Sequence, residues 1–175
     1  MSSGPRYRVH FRRRREGRTD YRVRLKLLAS GRSRAVVRCS GRRVRVALVD
    51  FDPRGDRVLA SADSSELGRI AFPPVSLAST PAAYLTGYLA GLRAKSRGAD
   101  GAILDVGLQH ATSGGRLAAA LKGLLDAGLE IPHGGEKFPS ADRLGGAHLP
   151  KRLPEPLEAY KLKLPSLVAP KGASA

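Results

Sequence analysis

Apolar residues recur every three to four positions in three separate stretches of the chain, which is the spacing of one face of an α-helix. The stretches are residues 80–96, 116–127 and 156–164. Thr80 is a favourable N-cap and Pro81 suits the first helical position, so the first of these helices should begin there. The pattern therefore predicts helices in the middle of the chain and near its C-terminus.

Small residues form a smooth stripe on the helix predicted for residues 80–96. Ala83, Gly87 and Gly91 lie at intervals of four residues, beside a parallel stripe of leucines. A smooth stripe allows close approach of an RNA backbone, but tight packing of the helix against a sheet explains it more simply.

Short apolar segments on either side of this helix have the length and composition of β-strands. Three of them, residues 34–40, 43–51 and 57–62, precede the helix, and residues 102–106 follow it as a buried parallel strand. Gly41-Arg42, with Gly first, is typical of a type II′ turn between the first two strands. The order β-β-β-α-β-α predicts an α/β domain.

A further short helix is predicted for residues 20–29, after Thr19 or Asp20 as its N-cap. Tyr21, Leu25 and Leu28 share one face of it, and we expect this apolar face to pack on the globular body.

Hydrophobic periodicity and composition divide the chain into three parts. Residues 1–18 have no hydrophobic period, so we expect a basic arm that stays extended until a partner orders it. Residues 19–130 should form the globular α/β domain. Residues 131–175 are rich in Pro, Gly and charge, which indicates an irregular C-terminal extension, with Ser140 as the cap of one short helix.

Positive charge is concentrated near the N-terminus. Sixteen of the 31 Lys and Arg residues lie in residues 1–45, opposed only by Glu16 and Asp20, so this segment carries +14 of the net charge of +16. Most are arginines, whose planar guanidinium groups bind phosphate with two hydrogen bonds and stack on bases. Tyr7, Phe11 and Tyr21 lie among them, as base stacking requires. The pattern favours an RNA-binding arm over a solvated, disordered tail.

A second basic cluster lies on the predicted hairpin, and we expect it to continue the basic surface of the arm. The predicted RNA-binding residues of the arm, the helix 20–29 and the hairpin are Arg6, Tyr7, Arg8, Phe11, Arg12, Arg13, Arg14, Arg15, Arg18, Tyr21, Arg22, Arg24, Lys26, Arg38, Arg42, Arg43 and Arg45.

A Gly-rich loop, residues 107–115, leads into the helix that begins at Arg116, and helix N-termini attract anions. The loop matches no nucleotide-binding motif, so RNA phosphate is the expected anion. His110, Ser113 and Arg116 complete the set of predicted RNA-binding residues.

The sequence offers little for catalysis, for a metal or for a cofactor. The four histidines are scattered and Cys39 is the single cysteine, so we expect no metal site and no intramolecular disulfide. The single cysteine fits a reduced, cytoplasmic setting. No run of 18 apolar residues is present, which argues against a membrane span.

Two alternatives to an RNA-binding protein remain. Asp50, Asp52 and Asp105 fall at or near strand ends, as in metal-dependent nucleases, although Asp52 precedes a proline in a turn and structural carboxylates are the simpler interpretation. A basic protein that coats DNA would show the same charge.

Four stretches resemble one known family. They are Gly4–Leu28, which reads GPRYRVHFRRRREGRTDYRVRLKLL, Thr80–Leu92, Ala102–Leu108 and Ala120–Leu149. In this order they resemble the 5S ribosomal RNA-binding family of the large ribosomal subunit, protein eighteen in the universal naming, in its archaeal and eukaryotic form. Residues 67–77 and those after Leu153 match the family poorly.

The resemblance implies a ribonuclease-H-like α/β fold with a mixed sheet, and neither catalysis nor a cofactor. It implies partners as well: 5S rRNA, large-subunit (23S-type) rRNA and neighbouring proteins of the central protuberance, on cytoplasmic ribosomes. By the same resemblance the RNA-contacting arm comprises Arg6, Tyr7, Phe11, Arg12–Arg15, Arg18, Tyr21 and Arg24.

Overall fold

The computed structural model describes residues 4–73, 77–134, 138–149 and 153–168 of the 175-residue chain. Its helices and strands, in chain order, are α1 (Arg12–Arg15), α2 (Tyr21–Ala29), β1 (Arg34–Cys39), β2 (Val44–Asp50), β3 (Arg57–Asp63), α3 (Thr80–Lys95), β4 (Ile103–Asp105), α4 (Arg116–Asp126), α5 (Ala141–Leu144) and α6 (Leu157–Lys163). The 3₁₀ turns Ser64–Ile70 and Leu164–Leu167 follow β3 and α6. Within these described ranges, no helix has both the length and the apolar character that a bilayer crossing needs.

A four-stranded sheet in the order β3-β2-β1-β4 forms the centre of the fold. β2 pairs antiparallel with β1 and β3, whereas β4 pairs parallel with β1. Val37 of β1 lies opposite Val46 of β2, and both are fully buried, as the alternation of apolar residues predicts. The mixed sheet and the element order confirm the predicted α/β fold.

β4 is shorter and more exposed than the sequence suggested. It lies at the edge of the described sheet, and Ile103 and Leu104 are only partly buried. The prediction of a parallel strand is confirmed, but that of a fully buried strand is wrong, because an edge strand has a neighbour on one side only.

The hairpin between β1 and β2 does not use the predicted turn. Gly41 lacks the positive φ that the first central residue of a type II′ turn requires. Instead, the hydroxyl of Ser40 accepts hydrogen bonds from the backbone N–H groups of Arg42 at 3.3 Å and Arg43 at 2.9 Å. The turn is therefore stabilised by the serine side chain and not by a glycine with positive φ.

Helix caps follow the sequence closely. The predicted N-cap Thr80 is wrong by one residue, since the hydroxyl of Ser79 accepts from the N–H of Ala82 at 3.3 Å. Ser140 caps α5 as predicted and accepts from the N–H of Arg143 at 3.4 Å.

The glycine stripe of α3 packs against α4 rather than against the sheet. A Cβ at Gly87 would lie 2.1 Å from the carbonyl oxygen of Ala120, and a Cβ at Gly123 of α4 would lie 2.1 Å from that of Tyr84. Glycines on both helices thus let the two backbones touch. The predicted packing of α3 on the sheet is confirmed, since α3 also contacts β2 and β3, but the glycine stripe itself lies against α4.

The arm and α2 differ from the prediction in two ways. The arm is not extended throughout, because Arg12–Arg15 form one helical turn. α2 buries none of its residues, and Leu25 is 70 % exposed, so the expected docking of Leu25 on the body is wrong. Arg24 and Leu27 face the body instead, and Tyr21 lies against Phe11 of the arm.

The C-terminal part contributes to the core. Tyr160 of α6 and Leu164 are fully buried, and the ring of Tyr160 contacts that of Phe72 edge-on at a centroid distance of 5.2 Å. The helical spacing predicted α6 correctly. Residues 165–167 of the predicted irregular extension lie in a 3₁₀ turn, and residues 169–175 lie outside the described ranges.

Candidate nucleic-acid interface

The arm presents its arginines to solvent. Residues 6–18 are all exposed, and α1 buries none of its four arginines. Glu16 offsets part of the charge, since its carboxylate lies 3.5 Å from Arg12 and 3.3 Å from Arg18. Because one carboxylate faces so many guanidinium groups, the arm keeps a large positive surplus.

Aromatic rings lie in the open on the same surface. Phe11 is 74 % exposed and Tyr7 is 54 % exposed. The rings of Phe11 and Tyr21 contact each other at a centroid distance of 5.4 Å. An exposed ring beside guanidinium groups can stack on an unpaired base while the cations bind its phosphates.

Short polar contacts join the arm to the start of α2 and α2 to the body. Arg13 Nε donates to Thr19 Oγ1 at 2.9 Å, and Asp20 caps α2 by accepting from the N–H of Arg22 at 2.8 Å. Arg24 Nη2 lies 2.9 Å from Asp56 Oδ2, in the turn between β2 and β3. Arg24 is thus the polar contact of α2 with the body, and the side chains of Leu27 and Leu28 are half-buried beside it.

A network of charges centred on the buried pair Arg34 and Asp105 lies beneath the arm. Arg34, which is 4 % exposed, donates from Nη2 to Asp56 Oδ2 at 2.6 Å and from Nη1 to Asp105 Oδ2 at 3.1 Å. Arg38 Nη2 lies 2.9 Å from Asp105 Oδ1. The network connects α2, β1, β4 and the turn that contains Asp56, so it holds together the elements that lie beside the arm.

The pKa of Asp105 follows from this network. Burial alone would raise it, but hydrogen bonds and charge from Arg38, the N–H of Gly107 and Arg34 outweigh burial and hold the pKa below its usual value. Asp105 is therefore an ionised carboxylate whose oxygens accept structural hydrogen bonds from Arg34, Arg38 and the N–H of Gly107.

The arginines of the hairpin are exposed. Arg42 and Arg43 lie in the turn, and Arg45 on β2 pairs with Asp63 at 2.7 Å while its side chain stays 69 % exposed. Arg38 lies nearer the arm, beside the same cavity as Arg13. Arg38 thus links the hairpin arginines to those of the arm.

The Gly-rich loop is bound to the end of β1. The backbone N–H of Cys39 donates to Gln109 Oε1 at 2.9 Å, and the Gln109 amide donates back to the Cys39 carbonyl. Arg116 Nη1 donates to the carbonyl oxygens of Ser40 at 2.7 Å and Ala78 at 3.2 Å. Arg116 therefore organises the loop, whatever else it binds.

The structure brings some of the predicted loop residues together and leaves one apart. His110 and Arg116 line one small cavity beside Cys39, whereas Ser113 is exposed and does not line it. The role of these three residues as an anion site stays a prediction.

The carboxylates of the nuclease alternative are engaged elsewhere. Asp50 accepts from the hydroxyl of Ser33, and Asp52 Oδ1 accepts from the N–H of Arg54 at 2.8 Å. Across the described parts of the chain, no three His, Cys, Asp or Glu residues are grouped so that they could hold a metal ion.

Comparison with known proteins identifies the family. The family model described as "Ribosomal large subunit proteins 60S L5, and 50S L18" matches residues 5–100 and 92–134. The chain is 53 % identical over 149 residues to large ribosomal subunit protein uL18 of Methanoregula boonei, which covers 85 % of each chain. The chain belongs to this family. It is also 46 % identical over 169 residues to uL18 of Methanococcoides burtonii, which covers 94 % of this chain and 97 % of the relative. To uL18 of Haloarcula marismortui it is 48 % identical over 160 residues, which covers 90 % of this chain and 85 % of the relative.

Family membership decides between the alternatives raised by the sequence. The members are structural proteins of the large ribosomal subunit, so this chain is a constituent of the ribosome in the cytoplasm and not an enzyme. The nuclease and DNA-coating alternatives are set aside. The matched residues include the arm, α2 and the whole sheet, so the exposed basic surface lies within the region that the family model describes.

Sequence reasoning missed three residues of this surface. Thr19 holds Arg13, Leu108 lines the cavities beside the arm, and Arg34 lies buried beneath it. Arg34 carried a signal that was overlooked: it begins a strand whose other residues, Arg38 excepted, are apolar, and an arginine buried there needs carboxylate partners. Thr19 was considered only as a possible N-cap of α2, a role that Asp20 has, and nothing in the local sequence distinguishes Leu108.

Proposed function

We propose that the protein binds 5S rRNA and helps attach it to the large-subunit (23S-type) rRNA of the central protuberance. Neighbouring proteins of the central protuberance are its proposed protein partners, and the proposal involves neither a membrane nor a small-molecule substrate. Support comes from the family and from the Gly4–Leu28 stretch, which carries much of the resemblance to 5S rRNA-binding members.

One observation carries the proposal: the arm exposes a run of arginines with open aromatic rings between them. Polyanions attract such a run through counterion release, and unpaired bases supply flat faces for Tyr7 and Phe11. A protein-binding surface would not need so large a surplus of one charge.

The proposed division of labour follows the three parts of the chain. Residues 1–18 serve as the RNA-binding arm, residues 19–130 position it through α2 and the charge network, and residues 131–175 form an extension. Since Tyr160 and Leu164 are buried in the core, we propose that this extension also stabilises the body.

The salt dependence of RNA binding tests the proposal. Each phosphate contact contributes about 0.7–0.9 to the slope of log K against log salt concentration, so replacing Arg12–Arg15 with Ala should reduce the slope by about 3. Filter binding of 5S rRNA over a range of KCl concentrations measures it.

A control variant keeps the same change in charge but moves it elsewhere. Replacing Arg69, Lys95, Lys122 and Lys163 with Ala also removes four cations, none of which lies on the arm or the hairpin. It should leave the slope within about 1 of the parent value. Equal slopes for both variants would show that the arm has no special part in binding.

A further inference from the structure

The outer edge of β3 is covered by arginine side chains of α3. β3 is the last strand of the sheet in the described part of the chain, and β2 is the strand that it pairs with there. Arg93 Nη1 donates to the carbonyl oxygen of Ser61 at 2.6 Å, and Arg97 Nη1 donates to that of Leu59. Two carbonyl groups that an additional strand would use as acceptors are therefore already bound.

A backbone donor on this edge is bound in the same way. Backbone groups two residues apart point to the same side of a strand, so the N–H of Asp63 lies on the edge that carries the Ser61 carbonyl. This N–H donates to Glu66 Oε1 at 3.0 Å. Side chains of the chain itself thus occupy a donor of the edge as well as its acceptors.

Several contacts hold Arg93 in its place. Its Nη2 lies 2.6 Å from Glu66 Oε2 and donates to the carbonyl oxygen of Leu167 at 2.9 Å. The side chains of Arg93 and Glu66 are 18 % and 23 % exposed. The guanidinium group joins α3, the 3₁₀ turn after β3 and the C-terminal 3₁₀ turn, so it cannot leave the edge without breaking these contacts.

Other features of the two sheet edges serve the same end. β3 has one residue more than β2 at Leu59, because Leu48 lies opposite Ala60 while Val49 lies opposite Val58, and such a bulge disturbs regular pairing. β4, at the opposite edge, has three residues. Bulges, short strands and charged side chains are the means by which proteins protect sheet edges from other chains. Val58, which is 55 % exposed, makes such protection necessary at β3.

We propose that Arg93 and Arg97 keep the chain from joining a second copy of itself edge to edge through β3. Their guanidinium groups occupy the place of a neighbouring strand, which would lie about 4.8 Å from β3. Paired edges would also bring the arginines of both copies together, and like charges repel. The proposal concerns the free protein and goes beyond the proposed function, since RNA has no part in it.

Sedimentation velocity over a range of protein concentrations, without RNA, tests the proposal. The double variant Arg93→Met/Arg97→Met frees both carbonyl groups. It should strengthen self-association by at least about tenfold, because these groups can then accept hydrogen bonds from a second chain. Arg69→Met/Lys95→Met is the matched control: it also removes two exposed cations, and Lys95 donates to Asp100 and not to β3. The control should associate no more than the parent.

A single variant covers the case in which loss of the pair between Arg93 and Glu66 prevents folding, which circular dichroism would show. Arg97 is exposed, so Arg97→Met should fold, and it should associate more strongly than Lys95→Met on the same helix. The double variant decides if it folds, and Arg97→Met decides if it does not. A folded variant that associates no more strongly than its matched control overturns the proposal.

A proline substitution shows whether the association runs through the edge of β3. Ser61 is exposed, and its N–H points outward like its carbonyl group, so Ser61→Pro removes a donor that β2 does not use. Added to the associating variant, Ser61→Pro should restore the behaviour of the parent, whereas Ser61→Ala, which keeps the N–H, should not. Association that persists with Ser61→Pro would place the contact elsewhere and contradict the proposal.

Discussion

Removal of the Asp105 carboxylate tests whether the charge network beneath the arm is structural. Asp105→Asn keeps the shape of the side chain but takes the negative charge away from Arg34 and Arg38. The side chains of Arg34 and Asp105 are 5 % and 9 % exposed, so solvent cannot replace the lost partner. The variant leaves a buried guanidinium with one carboxylate, that of Asp56 at 2.6 Å.

The expected cost follows from this geometry. Breaking a buried ion pair by removal of one partner costs about 3–5 kcal/mol, and the remaining Asp56 contact argues for about 3 kcal/mol. Part of this stability depends on pH. The folded-state pKa of Asp105 is depressed below 3.8, so its contribution is present above pH 3.8 and is lost as pH falls through the lower folded value. The variant should lack this acid-dependent part.

Urea denaturation at several pH values, monitored by circular dichroism, measures both the loss of stability and its pH dependence. Asp52→Asn is the control, because Asp52 is exposed and an Asn oxygen can still accept from the N–H of Arg54; it should cost less than about 0.5 kcal/mol. A loss below about 1 kcal/mol for Asp105→Asn would refute the structural role. Magnesium-dependent RNA cleavage by the parent that Asp105→Asn abolishes would revive the nuclease alternative.

Two further predictions concern packing. Gly123→Ala places a Cβ 2.1 Å from the carbonyl oxygen of Tyr84 and should destabilise the fold by at least about 1–3 kcal/mol in urea denaturation, whereas Gly68→Ala, with nothing within 4 Å, should be nearly neutral. Equal stability of the two variants would contradict the close contact of α3 and α4. Leu25→Ala should change the free energy of unfolding by less than about 0.5 kcal/mol, because Leu25 is 70 % exposed. Leu124→Ala, at a residue of 0 % exposure, should cost about 2–5 kcal/mol. A large loss for Leu25→Ala would show that α2 does bury its apolar face.

The sequence was sufficient wherever local chemistry and hydrophobic period agree. α4 and α6 follow from their apolar spacing, and the strands follow from the alternation that buries Val37 and Val46. Charge placement marked the arm in the same way, because a run of arginines has no alternative place in a protein of this size but the surface.

Tertiary context decided the rest. The spacing of Tyr21 and Leu25 predicts an apolar face, but the body offers α2 the carboxylate of Asp56 instead, and Arg24 takes it. Gly87 signalled close packing without naming its partner, since a glycine stripe fits a sheet and a helix equally well. Arg34 depends on Asp56 and Asp105, which are 22 and 71 residues distant in sequence, so no local pattern could assign its partners.

Recognition of 5S rRNA is the central claim, and a competition gel shift tests it most directly. The purified protein would bind labelled 5S rRNA while unlabelled 5S rRNA or a transfer RNA of similar length competes. Charge alone attracts both RNAs, whereas the proposed stacking of Tyr7 and Phe11 on bases and a fixed arrangement of arginines would discriminate between RNA shapes. The account predicts that transfer RNA competes at least about tenfold less well than 5S rRNA. Equal competition by the two RNAs would contradict it.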